Sequence, residues 1–431
     1  AELLSLGLST SLFLDDYLNS LTVGAIMQPI TDKLRIPRAK LAFLLDCMSA
    51  PLCVLIPATT WIAMIFSQLQ IAGITDDQTM YPVIQSDPFS AYLHIIPYLL
   101  YPICIVITAY MVSVFDISFG AMKTYEEIAQ NTGNVFGGKK TKAETQHVDS
   151  EHESLLGFIM PITLFIGLTI ILLLYSGNSS LFGGTNSALK ALQSGDSSLW
   201  ALCIASCSTL AISLIALIQR NAISSSNIYT MFINGFDLMK NSFMVLLLAW
   251  TFSDLLLNTL HAGTYMGSML SAALPIALIP VIVFLISTVL SATTGSAWAT
   301  IAIMIPLTVQ VVTSLFSTEM PLSLNESYLF APTLGAVLAG AIAGGHFSPI
   351  TDSTVMASTS AGSYHLDHVK TQIIYSLPAF IGSIAGFFVA GMLYTSPHKA
   401  ALSILTGILV TGIGLISEQY IYNWFFKKSV D

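Results

Sequence analysis

The chain has 431 residues, 54% hydrophobic and only 9% charged, with a net charge of −9. An ordinary soluble domain carries roughly 25% charged residues, so a single soluble globule, a disordered chain and a disulfide-rich secreted module are all excluded. Few basic residues also argue against nucleic acid as a partner.

About ten hydrophobic elements follow one another, near residues 3–30, 40–67, 89–114, 155–175, 199–218, 242–260, 272–316, 328–350, 371–395 and 400–417. Several exceed the ~20 residues that cross a bilayer. Between Asp254 and Glu319 no Asp, Glu, Lys or Arg occurs. The fold class is therefore an all-α polytopic membrane protein. The first, seventh and eighth elements collect Gly, Pro, Ser and Thr inside apolar runs, the mark of a discontinuous helix or re-entrant hairpin. The five cysteines, Cys47, Cys53, Cys104, Cys203 and Cys207, lie in apolar segments and read as buried small side chains.

Between the third and fourth elements, Asp116 to Glu153 holds eleven charged residues and reads as a solvated, mobile connector. Lys33, Arg35, Arg38 and Lys40 form one basic group, Lys123, Lys139, Lys140 and Lys142 a second, and Arg220 and Lys240 a third. Two spans separate each group from the next, so all face one side, which the positive-inside rule assigns to the cytoplasm.

Pro-Ile-Thr-Asp occurs at Pro29–Asp32 and again at Pro349–Asp352, and the match extends upstream through Leu14/Leu334, Leu18/Leu338 and Gly24/Gly344. This predicts an internally duplicated secondary-transporter fold, with a Gly-then-Pro interruption in each copy and a binding site at the break. The expected organisation is 1–114 as the remainder of a first repeat, 115–154 as a polar cytoplasmic loop, 155–418 as a second repeat, and 419–431 as a tail. The long element before the second copy has no counterpart before the first, so roughly a hundred further N-terminal residues are expected. The span count puts an even number of crossings between the copies, where inverted repeats need an odd number.

A carboxylate at mid-membrane costs ~2.5–3.5 kcal/mol on insertion scales, so each one needs a reason. Asp15 and Asp16 end an apolar run, with Asn19 on the same face. Asp46 lies mid-span, Asp254 has Asn258 one turn on, and Asp352 follows His346 by six residues. Asp32, beside Lys33 and Arg35, reads as an ordinary interfacial carboxylate. Carboxylates, hydroxyls and freed carbonyls suit a hard cation. A carboxylate that binds either a cation or a proton is enough to exchange the two. His346 reads equally as a relay member or as a hydrogen-bonded histidine steadying the break. No His-Glu-x-x-His, Gly-x-Ser-x-Gly or Walker-type loop is present, so no enzyme and no ATP-driven pump is expected.

Leu14-Asp15-Asp16-Tyr17-Leu18-Asn19-Ser20-Leu21-Thr22-Val23-Gly24 resembles the acidic motif of the NhaC family of sodium/proton antiporters, within the ion transporter superfamily. Arg38-Ala39-Lys40-Leu41-Ala42 with Asp46 and Ala50-Pro51, then Ala249-Trp250, continue that pattern in order. So do Thr294-Gly295-Ser296-Ala297-Trp298-Ala299-Thr300 and Gly345-His346-Phe347-Ser348-Pro349-Ile350-Thr351-Asp352-Ser353-Thr354. Ala297 and Leu18 depart from it, where a Gly and an aromatic are common. The resemblance implies paired repeats whose broken helices meet at a central ion site. It also implies sodium/proton exchange by alternating access, serving pH homeostasis in the cytoplasmic membrane. Exchange of small organic acids of the lactate/malate type, or a cation channel, are the alternatives.

The expected ion- and proton-binding residues are Asp15, Asp16, Asn19, Asp254, Thr294, Ser296, His346, Ser348, Thr351 and Asp352. Asp46, Asn258, Ser353 and Thr354 form a second tier, and Asp16 and Asp352 are the sodium carboxylates. No cofactor is expected. The partners are sodium ions, protons and the lipid bilayer, with a homodimer as the candidate assembly.

Overall fold

The computed structural model describes residues 1–76, 82–139, 155–186, 198–220, 228–233, 275–315, 321–323 and 328–427, with isolated positions among the rest. In chain order its principal helices begin with α1 (Glu2–Ser11), α2 (Asp16–Lys33), α3 (Arg38–Met48), α4 (Ala50–Leu55), α5 (Thr60–Ile71), α6 (Pro88–Ile95), α7 (Leu100–Val114) and α8 (Gly120–Thr132). They continue with α9 (Leu155–Ser176), α10 (Ser198–Gln219), α11 (Ile279–Thr294), α12 (Ala297–Leu315), α13 (Phe330–Phe347), α14 (Asp352–Ser360), α15 (His365–Met392) and α16 (Lys399–Lys427). Strand structure among the described residues is one short parallel pairing of β1 (Ile84–Gln85) with β2 (Leu322–Ser323).

Among the described residues, five helices are long and apolar enough to cross a membrane, and up to seven spans result if each bent pair counts as one. The bent pairs are Arg38–Leu55 with Thr60–Ile71, at 47°, and Pro88–Tyr98 with Leu100–Val114, at 52°. The chain is a multi-pass membrane protein. Its last helix carries Leu402, Leu405, Leu409, Ile413 and Ile416 exposed along one face, a stripe that faces lipid rather than water. The same logic corrects the cysteines: Cys47, Cys53 and Cys104 are buried, whereas Cys203 and Cys207 on α10 are exposed. An apolar segment in a membrane protein has an apolar solvent available, so apolar context does not imply burial.

The described chain forms two compact units. One comprises Ala1–Ser86, Ala91–Thr141 and Leu248–Asp431, and the other Asp87–Ser90 and Lys142–Leu247. In the smaller unit α9 packs along α10. In the larger unit the centre is α13, with every residue from Pro332 to His346 buried, flanked by α11 and α12. Small residues permit that density. A methyl added at Gly344 would lie 2.4 Å from the Thr288 carbonyl oxygen, and one at Gly340 would lie 2.6 Å from that of Phe284. Gly340-x-x-x-Gly344 is the close-approach face by which α13 meets α11 backbone to backbone.

Two helix–break–helix elements stand out, α1–α2 and α13–α14. In each, the second helix begins on an aspartate: Asp16 starts α2 and Asp352 starts α14. This corrects the expected position of the first break. The copy of Pro-Ile-Thr-Asp at Pro29–Asp32 lies within helix α2, and the interruption falls at Leu12–Asp15 instead. Pro29 sits inside the helix, where it removes one i→i−4 bond, and the helix continues only one further turn to Lys33. The connector after Asp116 also differs from its expectation, since its first part is the ordered helix α8, closed by Gly133 in the left-handed conformation at φ 76°. Its remainder, 140–153, lies outside the described residues.

Two of the three basic groups meet at one end of the larger unit. Arg35 Nη1 donates to the Gln130 carbonyl at 2.7 Å, and Arg38 Cζ sits 4.5 Å over the Phe136 ring. Lys139 pairs with Asp367 at 2.6 Å. Asp32 binds Arg38 at 2.7 Å, as an interfacial carboxylate should. Lys40 is buried rather than solvated, held between Glu2 at 2.8 Å and Glu126 at 2.6 Å.

Candidate ion site

The first break is built by capping. Asp15 is extended, at φ −151°, and its Oδ1 accepts the Leu18 amide at 3.0 Å, so it caps α2. Its Oδ2 accepts the Thr60 hydroxyl at 2.9 Å. The carbonyls freed by the break are taken up at long range: Leu14 O accepts the Thr60 amide at 3.0 Å, and Phe13 O faces Cys53 Sγ at 3.4 Å. Asp16, next along, is buried, and its Oδ1 accepts the Trp61 indole at 3.1 Å. Asp15 and Asp352 both lie within electrostatic reach of it.

The second break is capped differently. Thr351 occupies the capping position of α14, and Asp352 Oδ1 accepts the Ser353 amide at 2.9 Å. Ser348 Oγ accepts the Ile350 amide at 3.3 Å. The breaks are joined by Tyr17, whose hydroxyl donates to Asp352 Oδ2. One turn of α2 thus carries Asp16 and, beside it, the phenol that holds the carboxylate of the other break.

A third interruption completes the meeting. Gly295 caps α11 in the left-handed conformation at φ 67°, and Ser296 Oγ accepts the Ala299 amide at 3.2 Å to start α12. A methyl on Gly295 would lie 2.8 Å from Ile350 Cγ1 and 2.9 Å from Ile350 O, so this turn presses on the second break. The Trp298 ring lies 5.3 Å from that of Trp61, the donor to Asp16. Thr294 is exposed and its hydroxyl returns to Leu290 O at 2.8 Å.

Several buried oxygens near these breaks have no hydrogen-bond partner: Asn19 Oδ1, Ser20 Oγ and Thr351 Oγ1. Asn19 is fixed by its other end, Nδ2 donating to Ser9 O at 2.8 Å. A buried polar atom left unpaired costs ~1–3 kcal/mol, and a weakly held cation would satisfy such oxygens. Among the described residues no group of three or more His, Cys, Asp or Glu is arranged to hold a metal ion. Carboxylates together with neutral oxygens suit a hard cation.

Asp46, His346 and Thr354 form a separate buried group: Thr354 Oγ1 donates to Asp46 Oδ2 at 2.8 Å, and His346 Nε2 lies 4.0 Å from Asp46 Oδ1. Ser353 is buried in the first turn of α14. Asp254 and Asn258, with Ala249 and Trp250, lie outside the described residues. Sequence reasoning passed over Thr60 and Trp61. Their signal was Pro57-Ala58-Thr59-Thr60, a Pro/Thr interruption inside an apolar run, the same sign that exposed the other breaks.

Comparison with known proteins gives the family. A profile of the Na+/H+ antiporter family matches residues 23–392; the match begins past Asp15 and Asp16. An uncharacterized protein of Haemophilus influenzae is 28% identical over 418 residues, covering 96% of this chain and 74% of the relative. The malate-2H(+)/Na(+)-lactate antiporter of Bacillus subtilis is 30% identical over 110 residues, 26% of this chain and 21% of the relative. An uncharacterized Na(+)/H(+) antiporter of Haemophilus influenzae is 39% identical over 70 residues, 16% of this chain and 15% of that protein. No solved structure matches the chain.

Proposed function

The chain belongs to the Na+/H+ antiporter family, whose members exchange sodium for protons, and we propose that this exchange is centred on Asp16 and Asp352. The observation that carries the reading is the Tyr17 hydroxyl donating to Asp352 Oδ2, which ties the break before α2 to the break before α14 beside a buried carboxylate. Asp16 and Asp352 bind the sodium ion, with Asn19, Ser20 and Thr351 as neutral oxygen ligands. Asp15 is a positioning residue, held by the Leu18 amide and Thr60. Gly295 and Ser296 support the site from the third break, where Thr294 Oγ1 accepts the Ser296 amide at 3.3 Å, and Ser348 shapes the second.

Sodium and a proton compete for the same carboxylates, since an ionised carboxylate attracts the cation and a protonated one does not. Alternating access then presents the site to one side at a time, and the gradient of either ion drives the other without ATP. No resident cofactor and no catalysed reaction enter this cycle. We place the protein in the cytoplasmic membrane, with the joined basic groups of Arg35, Arg38 and Lys139 on the cytoplasmic side.

The test is proton movement in proteoliposomes bearing an imposed pH gradient, after addition of sodium, lithium, potassium, lactate or malate. Collapse of the gradient by sodium alone is the expected result. A response only with lactate or malate present replaces this reading with organic-acid exchange, the activity named in the Bacillus subtilis relative. Current without obligatory exchange marks a channel.

A further inference from the structure

The Asp46 group is not part of the sodium site and differs from it in chemistry. Asp46 is fully buried, as are His368, Gln372, Thr354 and, to within 1%, His346. Its Oδ2 accepts from three side chains on two helices: Thr354 Oγ1 of α14 at 2.8 Å, Gln372 Nε2 of α15 at 2.7 Å, and His368 Nε2 of α15 at 3.4 Å. Its Oδ1 has no hydrogen-bond partner and faces His346 Nε2 of α13, itself unpartnered, across 4.0 Å. On the far side, His346 Nδ1 is 2.9 Å from the Tyr101 hydroxyl of α7. Other titratable groups in electrostatic reach are Cys47 on α3, which faces Asp46, and Cys104 on α7, which faces Tyr101.

With both imidazoles neutral this group carries one negative charge, and with one added proton it carries none. A fully buried cluster pays heavily for net charge, so the two states differ in energy and in hydrogen bonding. A partnered histidine nitrogen must donate or accept according to its protonation. The two unpaired atoms facing each other across 4.0 Å are where a proton changes the contact from a gap to a charge-assisted bond.

The group is also wired to the ion site. His346 sits one residue before the end of α13, and Thr354 two residues after Asp352, so the cluster clasps both ends of the second break. Thr354 Oγ1 is shared between Asp46 and the Gly345 carbonyl at 3.3 Å, and Gln372 Nε2 between Asp46 and the His346 carbonyl at 3.3 Å. A change of charge at Asp46 re-sorts donors that hold the first turn of α14, the turn that carries Asp352.

We propose that Asp46, His346 and His368 form a second proton-binding site, separate from the sodium carboxylates, that controls Asp352 through the first turn of α14. This inference rests on the exchange reading above. The ligand is the proton itself, and Gln372, Thr354 and Tyr101 are positioning residues.

The test is sodium-driven proton exchange by the full chain in proteoliposomes, measured across pH for wild type, His346→Gln, His368→Gln, the double variant and Thr354→Val. Glutamine keeps a hydrogen-bonding side chain without a titratable proton; valine removes a donor to Asp46 and leaves the titratable groups intact. The expected result is a midpoint of the pH profile moved by about one pH unit or more in the histidine variants. Thr354→Val is expected to lower the rate, with a midpoint shift smaller than that of either histidine variant because one of three donors to Asp46 is lost while the titratable groups remain. Midpoints of the histidine variants that overlay wild type, or a shift of equal size in Thr354→Val, overturn the proposal. Absence of sodium-driven exchange in the wild type overturns the exchange reading instead.

Nitrogen-15 spectra of labelled histidine in the wild-type protein give a readout that no variant can obscure. A buried imidazole that titrates in step with transport is expected. Buried imidazoles that keep one protonation state throughout the transport range overturn the proposal.

Discussion

Asp16 and Asp46 are both buried carboxylates in the larger unit, yet their surroundings are opposites. Asp46 gathers three donors on one oxygen and faces two histidines. Asp16 accepts one indole N–H and has two further carboxylates within electrostatic reach. A carboxylate amid donors is held in place by the protein; one beside other carboxylates calls for a mobile cation. The contrast fits the proposed roles, proton binding at the Asp46 group and sodium binding at Asp16, and it can be broken at either end.

The largest effect is expected at Asp16. Asp16→Asn keeps the volume and the Trp61 contact but removes the charge, and sodium-driven exchange should fall by about a hundredfold or more, in line with the roughly 3–5 kcal/mol attached to a buried charge partner. Size-exclusion profiles in detergent should stay those of wild type; full exchange in this variant removes Asp16 from the site.

Gly295→Val comes next. The residue has φ 67°, and its Cβ would meet Ile350 at 2.8 Å, so strain of about 1–3 kcal/mol falls on the two breaks. Transport should drop more than thermal stability does. Equal losses would make the turn a packing feature only.

Tyr17→Phe deletes the hydroxyl that joins the breaks. A hydrogen bond to a charged group is worth ~1.5–3 kcal/mol, so apparent sodium affinity should weaken by about tenfold, read from the sodium concentration at half-maximal exchange. Thr354→Val removes one of three donors from Asp46 and should cost about 1–2 kcal/mol of stability, seen as a lower melting temperature in detergent, with sodium affinity unchanged. Thr294→Ala is expected to change stability and transport by no more than about 1 kcal/mol, because that hydroxyl is exposed and, beyond its own helix, accepts only the Ser296 amide at 3.3 Å.

Much of this was legible before any coordinate. Asp16, Asp352 and the Gly295 turn announce themselves because a carboxylate or a Gly/Ser/Thr run inside apolar sequence has no cheap explanation. His368 and Gln372 did not, because they follow Asp367 and Lys370 at the start of a helix, where polar residues are ordinary, although both are completely buried. Lys40 reads in the sequence as one of a basic group that marks the cytoplasmic side, and the two glutamates that bury it come from positions 2 and 126.

The sequence by itself determined that the chain is helical, spans a membrane and keeps a small set of acidic residues out of the lipid, since composition and insertion energy leave few alternatives. It also located the second and third breaks, where glycine, serine and proline mark them. The sequence marks an interruption beside Asp16 and another at Pro29–Asp32, and only the tertiary structure decided that the break falls at the first and not at the second. Leu12-Phe13-Leu14-Asp15 contains neither glycine nor proline, whereas Pro29, four residues from the helix end, stays helical. A helix can stop in an apolar stretch when distant partners take up the freed polar groups. Here Thr60 and Cys53 supply them, and residues some 40 positions away along the chain leave no local mark on the sequence they terminate.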